Sequence, residues 1–249
     1  METFTGTNDL SRRRKRLSLH ALSADCKAEG RNAILGHLGI AAGGGAAFLL
    51  VLLLLELLLQ GALPSSGAAA ILLTALMSIL VSILSGIFRY GVICIHVKLQ
   101  YGQEAQPSDL LLGFFESPDT IVRITAVLAA LQTVFLLPAQ IVNFRNPQSD
   151  VLFWSLMALG LIAGLYLDLT FYPALYLLLD YPDLSAKEVL QKSRRLMKKH
   201  RLPLLYLELS FLPLWLLSVC SFGFAAFWVY AYRNAALAAF YRKLIDHTI

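Results

Sequence analysis

"DLSAKEVLQKSRRLMKKHR", residues 183–201, is a dense basic segment within a chain of 249 residues that is 57% hydrophobic and 15% charged. Soluble domains run nearer a quarter charged, so with a mean hydropathy of +0.65 the expected solvent for most of this chain is lipid. The basic segment then has to lie where the lipid ends. Ser185 is followed three residues later by Glu188, the spacing of a capping box, so a helix is expected over 186–200. Val189, Leu190, Ser193 and Met197 fall along one face of it, and Lys192, Arg194, Arg195, Lys198 and Lys199 cover much of the rest. A basic amphipathic helix of this kind lies in the membrane interface. Its cations are candidate contacts for anionic head groups, each worth about 1 kcal/mol near a charged surface. A plainer reading stands beside this one, in which the charge only fixes topology.

Outward from that helix the chain is apolar. Crossing ~30 Å of hydrocarbon takes about 20 mostly apolar residues, and six stretches qualify: 35–59, 66–89, 120–142, 151–179, 202–221 and 223–245. The expected fold is all-α, a polytopic bundle of six transmembrane helices with short interfacial amphipathic helices on the cytoplasmic side. Residues 1–34 form a basic segment ending in an amphipathic helix, "ADCKAEGRNAILGH", that runs into the first span, and 246–249 form a short tail. The longest piece outside the spans is thus too short for an independent soluble domain. The first apolar run is 25 residues long and follows 34 mostly polar ones, so it reads as a retained span rather than a signal peptide. The small-residue stretch "GALPSSGAAA" is the competing cleavage signal. In "QPSDLLLGFFESPD", Ser108 is expected to cap a second in-plane helix over 108–115.

Lys and Arg are retained on the cytoplasmic side of short loops. Alternate loops and the two termini carry 17 of them on one side, and the opposite loops carry only Arg145. Both termini are therefore expected in the cytoplasm, with an even number of crossings. The run "SRRRKRLS" at 11–18 belongs to this inside-fixing charge and not to a nucleic-acid surface.

Ionisable side chains within lipid are candidate functional groups. Glu56 lies near the outer end of its span and Arg123 one turn inside the start of another, where both can snorkel. Glu208 and Arg233 differ: in an antiparallel hairpin of the last two spans both sit about 10 Å from the cytoplasmic end at 1.5 Å per residue, so they are expected to pair. Asp168, mid-span, needs Arg233 or a tyrosine hydroxyl to reach it. The three form a candidate polar cluster, either a clamp between helices or part of a pathway. Small residues mark close helix contacts, with Gly160 and Gly164 spaced as GxxxG and Ser78, Ser82 and Gly86 on one face. Pro138, Pro173 and Pro213 are expected to kink their spans. Cys26, Cys94 and Cys220 form no CxxC pair, and the five histidines show no metal-ligand spacing, so no metal, cofactor or disulfide is expected.

The stretches "KAEGRNAILGHLGIAAG", "PSDLLLGFF", "YPALYLLLDYPDLSAKEVLQKSRRLMKKHR", "LYLELSFLPLWLL" and "AYRNAALAAFYRKLI" resemble a bacterial six-span membrane family known as domain of unknown function 975. The resemblance covers about residues 24–245 and is most specific over 180–201. It implies the bacterial plasma membrane and the six-span architecture, and no activity. The family tends to carry an aspartate at Glu208, Pro-Tyr at Ala231-Tyr232, and an Asn-aromatic pair at His37-Leu38. A more distant similarity is to the membrane region that precedes some glycerophosphodiester phosphodiesterase domains, which implies a role near lipids.

Two functions follow. One is a non-enzymatic scaffold or envelope-associated accessory factor that docks on lipid through its basic helix. The other is a small transporter or lipid-moving protein using Glu208, Arg233 and Asp168. An intramembrane enzyme lacks a nucleophile, an acid pair or a metal set in this sequence. A polar cavity around the charged residues favours transport, and a closed core favours the scaffold.

Overall fold

The computed structural model describes residues 19–62, 68–145 and 150–246, and among these the regular structure is entirely helical. Helix α1 (Leu19–Ile34) buries Leu22, Ser23, Cys26, Gly30 and Ile34, a stripe at spacings of three and four that faces the bundle. It ends at Gly36, whose φ of +87° suits glycine. A turn therefore separates it from α2 (Leu38–Ala62), where one continuous helix into the first span is expected. The basic run 11–18 and the tail 247–249 lie outside the described residues, as does the side chain of Glu56.

Helix α3 (Ala68–Gln100) differs most from expectation. The second span is expected to stop at the charged Arg89, yet the helix continues eleven residues. Tyr90, Val92, Ile93, Cys94, Ile95, His96 and Leu99 are all buried beyond it, so this apolar extension is covered by protein. A 3₁₀ helix (Pro107–Phe114) follows, capped by Gln106 rather than Ser108. Pro107 has no N–H to be satisfied and starts the helix. Asp109 then accepts from the Gln106 N–H at 2.9 Å and from Lys98 Nζ at 2.8 Å. Helix α4 (Pro118–Arg145) is continuous through Pro138.

The next two apolar stretches are each broken. α5 (Asp150–Phe171) stops before Pro173, which removes an N–H and clashes with the preceding turn, and α6 (Ala174–Asp180) resumes after it. The basic helix α7 (Ala186–Met197) starts as expected: Ser185 and Glu188 form the capping box, and Val189, Ser193 and Met197 are buried. Then α8 (Arg201–Leu209) and α9 (Leu212–Cys220) divide the fifth stretch at Ser210–Phe211, with Pro213 in the first turn of α9. α10 (Phe224–Ile245) closes the fold.

Five segments are long and apolar enough to cross a membrane: Leu38–Leu55, Ile71–Gln100, Pro118–Asn143, Val151–Asp180 and Arg201–Cys220. α10 is not among them, since Arg233 and Asn234 interrupt its apolar run at mid-length. Its second half is instead enclosed by protein, with Ala235 through Tyr241 all buried.

The main core gathers at one end, around Tyr90, Ile121, Ile124, Leu178, Met197, Leu207, Phe211 and Phe240. Gly30 lets α1 cross α10 closely: a Cβ there would sit 2.5 Å from the backbone N of Ala236 and 2.8 Å from the carbonyl carbon of Ala235. Beside that crossing, Glu29 pairs with Arg242 and Lys243, each at 2.7 Å.

Candidate functional site

A cavity of about 540 Å³ lies between α3, α4, α5, α8 and α10 and is lined by four charged side chains, Arg89, Asp168, Glu208 and Arg233. Ligand sites typically occupy 300–1,000 Å³. Both helix breaks border the space. Phe171, Tyr172 and Ala174 line it at the α5–α6 break, and Leu204 and Glu208 line it just before the α8–α9 break. An uninterrupted helix in either place would carry its side chains straight past.

Each break is held by contacts with neighbouring helices. Tyr172 donates to the carbonyl of Leu237 at 2.5 Å. Ser193 of the basic helix donates to the Thr170 carbonyl at 3.1 Å. At the other break, Lys27 of α1 donates to the Ser210 carbonyl at 2.9 Å and lies 4.6 Å from the centre of the Phe211 ring. Burial lowers the pKa of Lys27 from the ordinary lysine value, and the cation–π contact and carbonyl bond compensate its lost hydration. Ser23 meets the Ser210 hydroxyl at 3.2 Å. The N-terminal helix thus clamps the kink that positions Glu208.

The expected pairing of Glu208 with Arg233 is observed as a two-pronged fork. Nε donates to Oε2 at 2.7 Å and Nη2 to Oε1 at 2.5 Å, the geometry in which a guanidinium and a carboxylate match best. Asp168 is brought to the same cavity but not into contact, because the fork already engages Arg233. Among the described residues Asp168 makes no side-chain hydrogen bond and no ion pair, although the charges of Arg89 and Arg233 act on it across the space. Arg89 has no such partner among the described residues either. It is the cavity residue that the sequence reading missed. Placing the span boundary at Arg89 put it at a helix end, whereas the apolar run "YGVICIHVKLQ" after it was the signal that the helix goes on. Gln132 and Asn234 add amides, and Tyr230 adds a phenol, to the lining.

The five cations proposed for lipid contact are divided by the fold. Lys192 and Arg195 share a shallow cleft of about 390 Å³ with Leu177, Tyr181, Leu196 and Ile245, and Lys192 lies 5.0 Å from the Tyr181 ring centre. Arg194, Lys198 and Lys199 are exposed outside it. Arg201 is engaged elsewhere, donating to the Tyr166 hydroxyl at 2.9 Å. At the helix start, the Ser185 side-chain and backbone hydrogen bonds hold the Glu188 carboxyl below the usual value.

The family model described as "Protein of unknown function (DUF975)" matches residues 119–248, just over half of the chain. That stretch contains Asp168, the basic helix, Glu208 and Arg233, and leaves out Arg89 and α1. No curated protein and no solved structure matches the chain.

Proposed function

We infer that this chain, which belongs to the DUF975 family, is a multi-pass protein of the bacterial plasma membrane that binds an amphipathic ligand between its helices, as a lipid-handling or small transport protein without catalysis of its own. The carrying observation is the cavity. Four ionisable side chains line one partly open cavity among helices of which several are apolar enough to span a bilayer. Charge in lipid is expensive and is retained where a pathway or ligand needs it. A scaffold would be served as well by a filled core at this place. The scaffold reading keeps one supporting feature, the cleft at Lys192 and Arg195, which suits docking on an anionic leaflet.

The proposed topology has six crossings, both termini in the cytoplasm, and α7 and the 3₁₀ helix lying in the inner interface. The contact of Glu29 with Arg242 and Lys243 supports it, since α1 and the end of α10 meet at one end of the bundle, which requires an even number of traverses between them. α10 at 22 residues is ~33 Å long, enough to cross once its Arg233 is neutralised by Glu208. Cys220 is exposed at the far end, while Cys26 and Cys94 are buried, and burial pushes the Cys26 thiol up to about 12. A membrane-impermeant maleimide applied outside spheroplasts is therefore expected to label Cys220 alone. Labelling of Cys220 only after lysis would overturn the topology. The binding function is tested by identifying lipids that survive purification, with Ala129→Trp filling the cavity: co-purified lipid is expected to fall at least fivefold. Equal retention would locate binding elsewhere.

A further inference from the structure

The charges of the cavity balance in a way that selects a ligand. Arg233 and Glu208 satisfy each other through both carboxylate oxygens, which leaves one cation, Arg89 on α3, and one anion, Asp168 on α5, facing the same space with no ion pair between them within 4.0 Å. A purely anionic ligand on Arg89 would bring its charge against Asp168 in a medium of low dielectric. A purely cationic one on Asp168 would meet Arg89. A molecule carrying both charges, separated by a short link, satisfies the two together and adds no net charge to the membrane interior.

We propose that the cavity binds a zwitterion that joins a phosphate to an ammonium, with Arg89 taking the phosphate oxygens, Asp168 the ammonium, and the Gln132 amide the adjoining ester. This rests on the ligand-binding reading above and names the ligand's chemistry. A guanidinium offers paired N–H donors to phosphate oxygens, and a carboxylate accepts from ammonium N–H groups. The bilayer supplies this chemistry as an aminophospholipid. The apolar lining, Phe48, Leu128, Leu165 and Leu204 among it, favours that source, because acyl chains can leave between helices that already face lipid. A water-soluble phosphoethanolamine carries the same pair of charges.

The test is native mass spectrometry of the full chain equilibrated with equal amounts of phosphatidylethanolamine and phosphatidylglycerol. The wild type is expected to retain phosphatidylethanolamine at least tenfold over phosphatidylglycerol. Asp168→Asn makes the free charge of the site positive and is expected to reverse that ratio. Arg89→Gln is expected to lower retention of both lipids at least tenfold. Asp168→Glu and Arg89→Lys, which keep the charges, are expected to keep the wild-type preference, and thermal melting of each variant separates lost binding from lost folding. Phosphoethanolamine at millimolar concentration that displaces the lipid supports the same chemistry with a soluble source. Failure to displace it supports the lipid. Equal or greater retention of phosphatidylglycerol by the wild type, or an unchanged ratio in a folded Asp168→Asn, overturns the inference while leaving ligand binding intact. A wild type that retains no lipid and binds no phosphoethanolamine overturns both.

Discussion

The two ends of the bundle are built differently. At the basic end, α1, α7, the 3₁₀ helix and the ends of α3, α6 and α10 pack into a dense layer holding Cys26, Ile34, Leu178, Met197 and Phe240 at 2% exposure or less. That layer is laced with polar contacts: Lys98 with Asp109, Glu29 with Arg242 and Lys243, and the Tyr241 hydroxyl with Asp180. At the other end Leu53, Leu72, Leu159, Ile162 and Leu216 point outward, and aqueous solvent could not tolerate so large an apolar surface. The difference teaches which solvent each end meets. Lipid covers an apolar surface for free, so helices at the apolar end need only small residues where they touch. The basic end buries its apolar stripes against itself, as a layer in contact with water or head groups must. The cavity lies where these two regimes join.

Breaking the dense end is expected to have the largest effect. Gly30→Leu drives a side chain into the backbone of Ala235–Ala236, where nothing can swing aside. Overpacking of this kind typically costs 1–3 kcal/mol and occasionally more. Loss of the monodisperse peak in fluorescence-detected size exclusion is expected, and wild-type behaviour would mean α1 does not cross α10 as described.

Next comes the fork at the junction. Glu208→Ala leaves the Arg233 guanidinium without its acceptor. Removing one partner of a fully buried pair costs ~3–5 kcal/mol, and a pair at 25% exposure on each side should lose about half of that. Arg233→Met combined with Glu208→Met is expected to melt closer to wild type than either single replacement. Additive losses in that double-mutant cycle would show that the fork carries little coupling.

Ser185→Ala removes the cap of α7 at about 1 kcal/mol and sharpens the comparison by touching only the basic end. Glu188 has its pKa lowered by its hydrogen bonds to Ser185. The capping contribution is therefore fully present above the ordinary glutamate pKa and lost as pH falls through the lowered value. Amide exchange over 186–197 should accelerate in that acid window in the wild type and already be fast at neutral pH in the variant. A pH-independent exchange difference would contradict the capping box.

The smallest effect is expected away from the dense end. At Gly164 an added Cβ meets the end of the Gln132 side chain at 3.2 Å, and that side chain can move. Gly164→Ala should shift melting by less than the Ser185 replacement does. A loss as large as that of Gly30→Leu would erase the distinction between the two ends.

Much of the framework is legible in the order of the amino acids. The capping box at Ser185 and Glu188, the buried stripe Val189–Ser193–Met197 and the Glu208–Arg233 pair follow from local spacing and from the reach of antiparallel helices. Arg89 is illegible there for a definite reason. A charge inside an apolar run looks like a boundary when the helix is imagined in lipid, and it becomes an interior position only once other helices wrap the next eleven residues. The clamp of Lys27 and Ser23 on Ser210 joins residues more than 180 positions apart, and no local pattern encodes it.

By itself the sequence determined the class of the protein, because apolar run length against bilayer thickness is summed along the chain and needs no partner. Tertiary structure alone decided that two helix breaks, held by α1, α7 and α10, open one space in which Arg89 and Asp168 remain uncoupled while Arg233 and Glu208 join. Which charges neutralise one another depends on distances between helices, and those distances are set by packing at positions such as Gly30 that carry no charge at all.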